Sequence, residues 1–218
     1  WTACTKDSTG SNPTTGQITL KVAYEAPTLL SSQASATASE VDSIRITRAR
    51  FLIRNIRFKS TVEDSLDFRS DPLVVELNLN GVENTIGVSE VPFGTYRRLD
   101  FRVHRLDPND PEDRPFVGLP EFADFMQNER YSMIIEGQVF GTMGNGIDFT
   151  FRSRANEKQR HELIPPLLVD ESRPEVTVTL IVDASNWFRD GNGGLLDPTD
   201  PQNEDEITQN LKNSIRPR

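Results

Sequence analysis

Gly94-Thr95-Tyr96-Arg97-Arg98-Leu99-Asp100-Phe101-Arg102-Val103-His104-Arg105-Leu106 is the stretch on which the fold turns. Leu99, Phe101 and Val103 recur at every second position, and Arg98, Asp100, Arg102 and His104 fill the positions between them. A period of two matches a strand, whose successive side chains point to opposite faces, and does not match the 3.6 of a helix. The segment therefore predicts a half-buried strand with Leu99, Phe101 and Val103 inward. Its outer row, which alternates in charge, is expected to face solvent and to be salt-bridged, His104 included.

The same pattern recurs on both sides of this stretch. Gln17–Tyr24 sets Ile18, Leu20 and Val22 against Thr19, Lys21 and Ala23. Leu73–Leu79 sets Leu73, Val75, Leu77 and Leu79 against Glu76 and Asn78, and Glu175–Asp183, entered through Pro174, carries Val176, Val178, Leu180 and Val182. Tyr131–Gly141 and Gly146–Arg152 read as a hairpin, with Asn145-Gly146 expected to supply the positive backbone angles of the turn. Val41–Lys59 is strongly β-like but changes parity, from Ile44 and Ile46 to Ala49, Phe51 and Ile53, which predicts a bulge near Thr47–Arg50. Ala26–Ser39, rich in Ser, Ala and Thr, reads as a long loop that crosses from one sheet to the other.

Two short helices are expected, Glu121–Asn128 behind Pro120 and Asp205–Ile215 with acids at its start and Lys212 near its end. Many strands and little helix point to an all-β, antiparallel β-sandwich of immunoglobulin-like or prealbumin-like type, with these helices at its periphery. At 218 residues the chain suits one such domain over 17–218, with a C-terminal loop and short helix, and a tether over 1–16.

Val91-Pro92-Phe93-Gly94-Thr95-Tyr96 carries a resemblance. Proline sets the approach, glycine allows the turn and tyrosine opens the next strand. Together with Ile46-Thr47-Arg48-Ala49-Arg50 upstream and Val182-Asp183-Ala184-Ser185-Asn186-Trp187-Phe188 downstream, it resembles a family of uncharacterised bacterial lipoproteins with a prealbumin-like sandwich. The resemblance implies an all-β fold outside the cytoplasm and brings no established catalytic residues.

Trp1-Thr2-Ala3-Cys4 looks like the tail of a bacterial lipoprotein signal, in which small residues precede a cysteine that is cleaved at its amino side and acylated. Cys4 is thus the expected lipidation site, and the chain's one cysteine allows no internal disulfide. Thr5–Gly16, made mostly of Ser, Thr, Gly, Asn and Pro, has the composition of a flexible tether. The competing reading is a disordered end with an incidental thiol. No apolar run is long enough to cross a bilayer as a helix, so membrane contact is expected through the lipid anchor only. Acidic residues outnumber basic ones by 33 to 24, a net charge of −9, which argues against a nucleic-acid partner.

Catalytic motifs are missing. His161-Glu162 runs into Leu163-Ile164-Pro165 and not into a zinc-binding helix, and two histidines, one cysteine and three methionines make no copper or zinc cluster. Gly141–Gly146 is glycine-rich but reads as a turn. His104 beside Asp100 is too widely spaced along a strand for a direct hydrogen bond. Arg45, Arg48, Arg50, Arg54 and Arg57 are read as cross-strand ion-pair partners, with an anion-binding stripe as the alternative.

The most distinctive polar constellation is Asp190-Gly191-Asn192-Gly193-Gly194-Leu195-Leu196-Asp197-Pro198-Thr199-Asp200. Asp190, Asn192, Asp197 and Asp200 offer oxygen ligands at intervals suited to calcium, the one candidate cofactor. An exposed turn-forming loop is the competing reading, and the acidic run Asp107–Asp113 is treated alike. Trp187-Phe188, just ahead of this loop, is expected in the core. The expected function is a non-catalytic cell-envelope lipoprotein that binds a protein or small ligand. A structural or accessory subunit docking through an edge strand is the alternative, and an enzyme with an acidic site stands last.

Overall fold

Strand after strand, the alternating segments pair edge to edge. The computed structural model describes residues 14–31, 41–60, 70–141 and 144–218. Its strands are β1 (Thr15–Glu25), β2 (Leu29–Ser31), β3 (Val41–Ser60), β4 (Leu73–Glu76), β5 (Asn84–Pro92), β6 (Gly94–Val103), β7 (Met133–Gly141), β8 (Gly146–Ser153), β9 (Glu157–Val169), β10 (Glu175–Asp183) and β11 (Ile215–Pro217). One α-helix, α1 (Glu204–Asn213), and short 3-10 helices at Pro120–Met126, Ala184–Asn186 and Pro201–Asn203 complete the described residues. Cys4 and most of the expected tether lie outside those residues, whereas Thr15 and Gly16 already belong to β1 and pair with Pro92 and Val91. Among the described residues no helix is long and apolar enough to cross a membrane.

The strands make the expected all-β sandwich of two sheets. One sheet runs β11-β10-β1-β5, and the other is built on β3 with β2, β4, β6, β7, β8 and β9. Pairing is antiparallel except between β1 and β10, which run parallel from Gln17 beside Glu175 to Glu25 beside Asp183. The connection after β1 crosses to the second sheet, as expected, but does so partly as strand, because Leu29–Ser31 pairs with Ser43–Arg45.

Two bulges control which face of β3 is apolar. The ladder to β7 slips between Ile46 and Arg48, inside the predicted region, and the inward residues change from Ile44 and Ile46 to Ala49, Phe51 and Ile53. A second slip between Arg54 and Arg57, with Asn55 at φ 57°, changes them back to Ile56 and Phe58. An extra residue in one strand shifts its parity, so each bulge keeps apolar side chains in the core. Phe51 lies between Val75 of β4 and Met133 of β7, and Ile53 between Leu73 of β4 and Val103 of β6. β6 and β7 therefore lie end to end along one edge of β3, and the chain leaves the sheet between them, over 104–132.

The inner faces bury Leu99 and Val103 at 0% exposure and Phe101 at 1%, as the period of two requires. Trp187 and Phe188 are also at 0%, Trp187 against Tyr24 and Phe51 with ring centroids 6.1 and 5.9 Å away. Burial of such a side chain contributes about 2 kcal/mol. Burial together with the nearby Asp183 carboxylate pushes the Tyr24 hydroxyl up to about 12.

Several expectations need correction. β5 and β9 were not foreseen, because Gly87 and Ser89 dilute the first and Pro165-Pro166 interrupts the second. The helix expected over Glu121–Asn128 is a 3-10 helix over Pro120–Met126, and that expected over Asp205–Ile215 is α1, after which Ile215 joins β11. In the β7–β8 turn the positive φ belongs to Gly144, at 74°, and not to Asn145-Gly146. Gly146 answers a packing need instead, since a Cβ there would lie 2.8 Å from the Phe140 ring.

Candidate functional site

The outer face of the β3 sheet is where the charged residues gather. Segment 104–132 folds back over it and forms a second, smaller core: Leu52, Leu106, Phe122, Phe125 and Ile134 are buried together, flanked by Phe116, Met126 and Tyr131. Arginines of β3 fasten this cover. Arg50, 7% exposed, donates to Asp124 at 2.7 Å and to Glu136 at 2.9 Å, and lies over the Phe125 ring at 5.7 Å. Arg54, 5% exposed, donates to Asp113 at 2.5 Å, to Asp110 at 3.2 Å and to Glu112. Arg48, nearer solvent, makes a two-toothed pair with Glu76 at 2.9 and 2.8 Å. The cross-strand pairing expected of the arginine row is thus partly replaced by pairing to the overlying segment.

His104 and Asp100 do not face solvent, contrary to expectation. Asp113, with no exposed surface, accepts from His104 Nε2 at 2.7 Å and from the Asp107 backbone N–H at 2.8 Å. Arg54 Nη1 lies 3.3 Å from the same Nε2, and Nδ1 is buried with no hydrogen-bond partner among the described residues. Asp100, 1% exposed, is held between Arg98 at 2.8 Å and Lys158 at 2.9 Å. Burial pushes its carboxyl upward, but the Lys158 and Arg98 interactions outweigh it and the net shift is downward. His161 stacks on Phe101 with ring centroids 5.5 Å apart, and burial lowers its pKa against the opposing pull of Asp100.

Beside this network opens a polar cleft of about 320 Å³, bordered by Arg54, Arg57, Asp100, Arg102, Glu112 and Lys158. Cations and carboxylates line it together, and its most buried charged groups, Arg54 and Asp100, are already engaged with protein partners. The His104–Asp113 pair has the composition of an acid–base dyad, yet at 4% and 0% exposure it sits where a substrate cannot reach.

The candidate calcium loop has another use for its oxygens. Asp190 Oδ1 accepts from the backbone N–H groups of Asn192 and Gly194 at 2.8 and 2.7 Å, and Gly193 turns at φ 86°. Asp197 Oδ1 accepts from the Thr199 N–H and hydroxyl at 2.8 and 2.7 Å, and Asp200 Oδ1 caps the next 3-10 helix through Gln202 N–H at 2.9 Å. Asn192 is exposed. Among the described residues, no group of three or more His, Cys, Asp or Glu side chains is placed to hold a metal. Asp190, Asp197 and Asp200 each close a local turn with one carboxylate oxygen, and in the acidic run Asp110, Glu112 and Asp113 bind Arg54 while Asp107 pairs with Arg130.

A surface feature that the sequence reading missed lies on β9. Opposite β6, Tyr96 pairs with Leu167 and Arg98 with Glu162, so Leu163-Ile164-Pro165-Pro166 stand opposite Arg97 alone. Ile164 on this bulge is 90% exposed and Leu168 44%. Below it runs a groove of about 460 Å³ that reaches Thr177, Val178 and Pro217 on the other sheet. The signal was present in Leu163–Val169, an apolar run broken by two prolines. No family model, no curated protein and no solved structure matches this chain.

Proposed function

We propose that this chain is a non-catalytic binding or interaction module of the bacterial cell envelope, tethered through an acylated Cys4. The observation that carries the binding role is Ile164, 90% exposed on the β9 bulge above the groove. Single exposed apolar residues are ordinary, but an apolar tip joined to Leu168 and a lined groove is the kind of surface that a partner covers. At the polar cleft Arg54, Asp100 and Lys158 are already held in ion pairs, which favours binding over chemistry there. The Val91–Tyr96 corner, where Tyr96 donates to the Pro92 carbonyl at 2.7 Å as the chain passes between sheets, supports kinship with prealbumin-like lipoproteins.

The test uses the full chain expressed in a bacterial envelope. A photoreactive residue at position 164 should yield a discrete adduct that the same residue at Val82, 58% exposed on another surface, does not. Equal labelling at both positions would remove the groove from consideration. Mass spectrometry should find acyl mass on Cys4, and an unmodified cysteine would refute the anchor. A second reading, an accessory subunit that docks through an edge strand, is favoured by the outer edge of β8, which pairs with no further strand among the described residues.

A further inference from the structure

The end strands of a sheet carry unpaired backbone groups, and proteins ordinarily blunt them with prolines, bulges or short length. β9 has Pro165-Pro166 and the bulge at Ile164. β11 has three residues and contains Pro217. β5 ends at Pro92 and carries Glu90 as its one charged residue, so β5 set antiparallel against itself brings no opposite charges together. β8 (Gly146–Ser153) has none of these protections. It is regular, free of proline, and among the described residues paired with β7 alone, from Ser153 beside Met133 to Gly146 beside Phe140.

The geometry points to β8 as a self-pairing edge: two copies of this chain join antiparallel through β8 about a twofold axis at Thr150, setting Asp148 of each against Arg152 of the other. An isologous interface needs a patch complementary to itself, and an antiparallel strand meets this when residues equidistant from the axis match. Around Thr150 they do. Asp148 and Arg152 lie two positions to either side, on the face away from the core, and Thr150 meets its own copy, a favoured polar pair. On the core face, Phe149 of one copy stands opposite Phe151 of the other, an aromatic pair across the axis.

Charge complementarity is what selects a second copy over another occupant. Among the described residues, neither Asp148 nor Arg152 has an ion-pair partner: Asp148 accepts a hydrogen bond from Gln138 at 2.9 Å, and Arg152 lies over the Tyr131 ring at 5.8 Å with Nε unpaired. Directly opposed side chains have Cβ atoms about 5 Å apart, within reach of an Asp–Arg pair. The inference uses neither the envelope address nor the β9 groove, so it stands or falls apart from the leading reading, and it gives the β8 edge to a second copy of this chain in place of an accessory partner.

Sedimentation of the full chain over a range of concentrations is the test. The wild type should show a monomer–dimer equilibrium. Asp148→Arg, an exposed change, places like charges face to face on both sides of the axis and should weaken the dimer about tenfold or more. Adding Arg152→Asp restores opposite charges and should recover the dimer. In a Cys4→Ser background, Thr150→Cys should cross-link to a covalent dimer on oxidation, because directly paired strand residues lie within disulfide range. A chain that stays monomeric up to about 1 mM overturns the proposal, and so does a dimer that neither responds to Asp148→Arg nor cross-links at position 150.

Discussion

Arg54 and Arg48 lie on the same strand and carry the same charge, yet they differ in consequence because one is buried and the other is not. Arg54 neutralises Asp113, which is fully buried and also holds His104 and the Asp107 backbone. Arg54→Ala leaves that carboxylate uncompensated and should cost about 3–5 kcal/mol in urea unfolding. Arg48, with its side chain 42% exposed beside Glu76, should cost no more than about 1 kcal/mol when replaced in the same way. Asp190 allows a finer comparison. Asp190→Asn keeps an Oδ1 acceptor for Asn192 and Gly194 and should stay near wild-type stability. Asp190→Ala loses both bonds and should lower stability by about 1–2 kcal/mol. A calcium site would be sensitive to both substitutions, and calorimetric titration of the wild type with calcium should give no heat.

At the scale of elements, segment 104–132 is a unit laid over the sheet and not part of it. Between its two ends, which hydrogen-bond to the sheet through His104 and Ser132, it is held mainly by the small cluster around Phe125 and the ion pairs of Arg50 and Arg54. Contiguous regions with few core contacts open before the global transition. Phe125→Ala should therefore remove amide protection across 104–132 in hydrogen exchange while the β3–β7 and β1–β10 ladders stay protected. Simultaneous loss of protection in all of them would show that the segment belongs to the main core. The two bulges of β3 follow the same logic, because each allows one long strand to serve the sandwich core on one face and this cover on the other.

For the whole molecule, acid should act in two stages. His161 has a pKa below its ordinary 6.5 in the folded chain, so below that pH the unfolded chain takes a proton that the folded chain resists. Stability is complete above 6.5 and falls as pH drops past it. Asp100 and Glu76 also have lowered values, and their contributions, present above the ordinary carboxylate range, are lost as pH falls further. Urea unfolding across pH should show both declines. His161→Phe, which keeps the stack on Phe101, should remove the first and leave the second, and an unchanged first decline would assign it to another group.

Local alternation was enough to establish the all-β class, the inward set Leu99, Phe101 and Val103, the β7–β8 hairpin and the first bulge of β3, because side-chain period and turn chemistry act between near neighbours in the chain. It was silent where the cause is remote. Nothing near Asp100 or His104 indicates that Lys158 and Asp113 will enclose them, and nothing in Asp190–Asp200 distinguishes a metal ligand from a turn former. The cover over 104–132, the parallel β1–β10 pair and the exposed Ile164 arise from contacts between segments far apart in sequence. Those contacts decide which polar residues leave water, since a strand has two faces and only the packed fold determines whether the second is also covered.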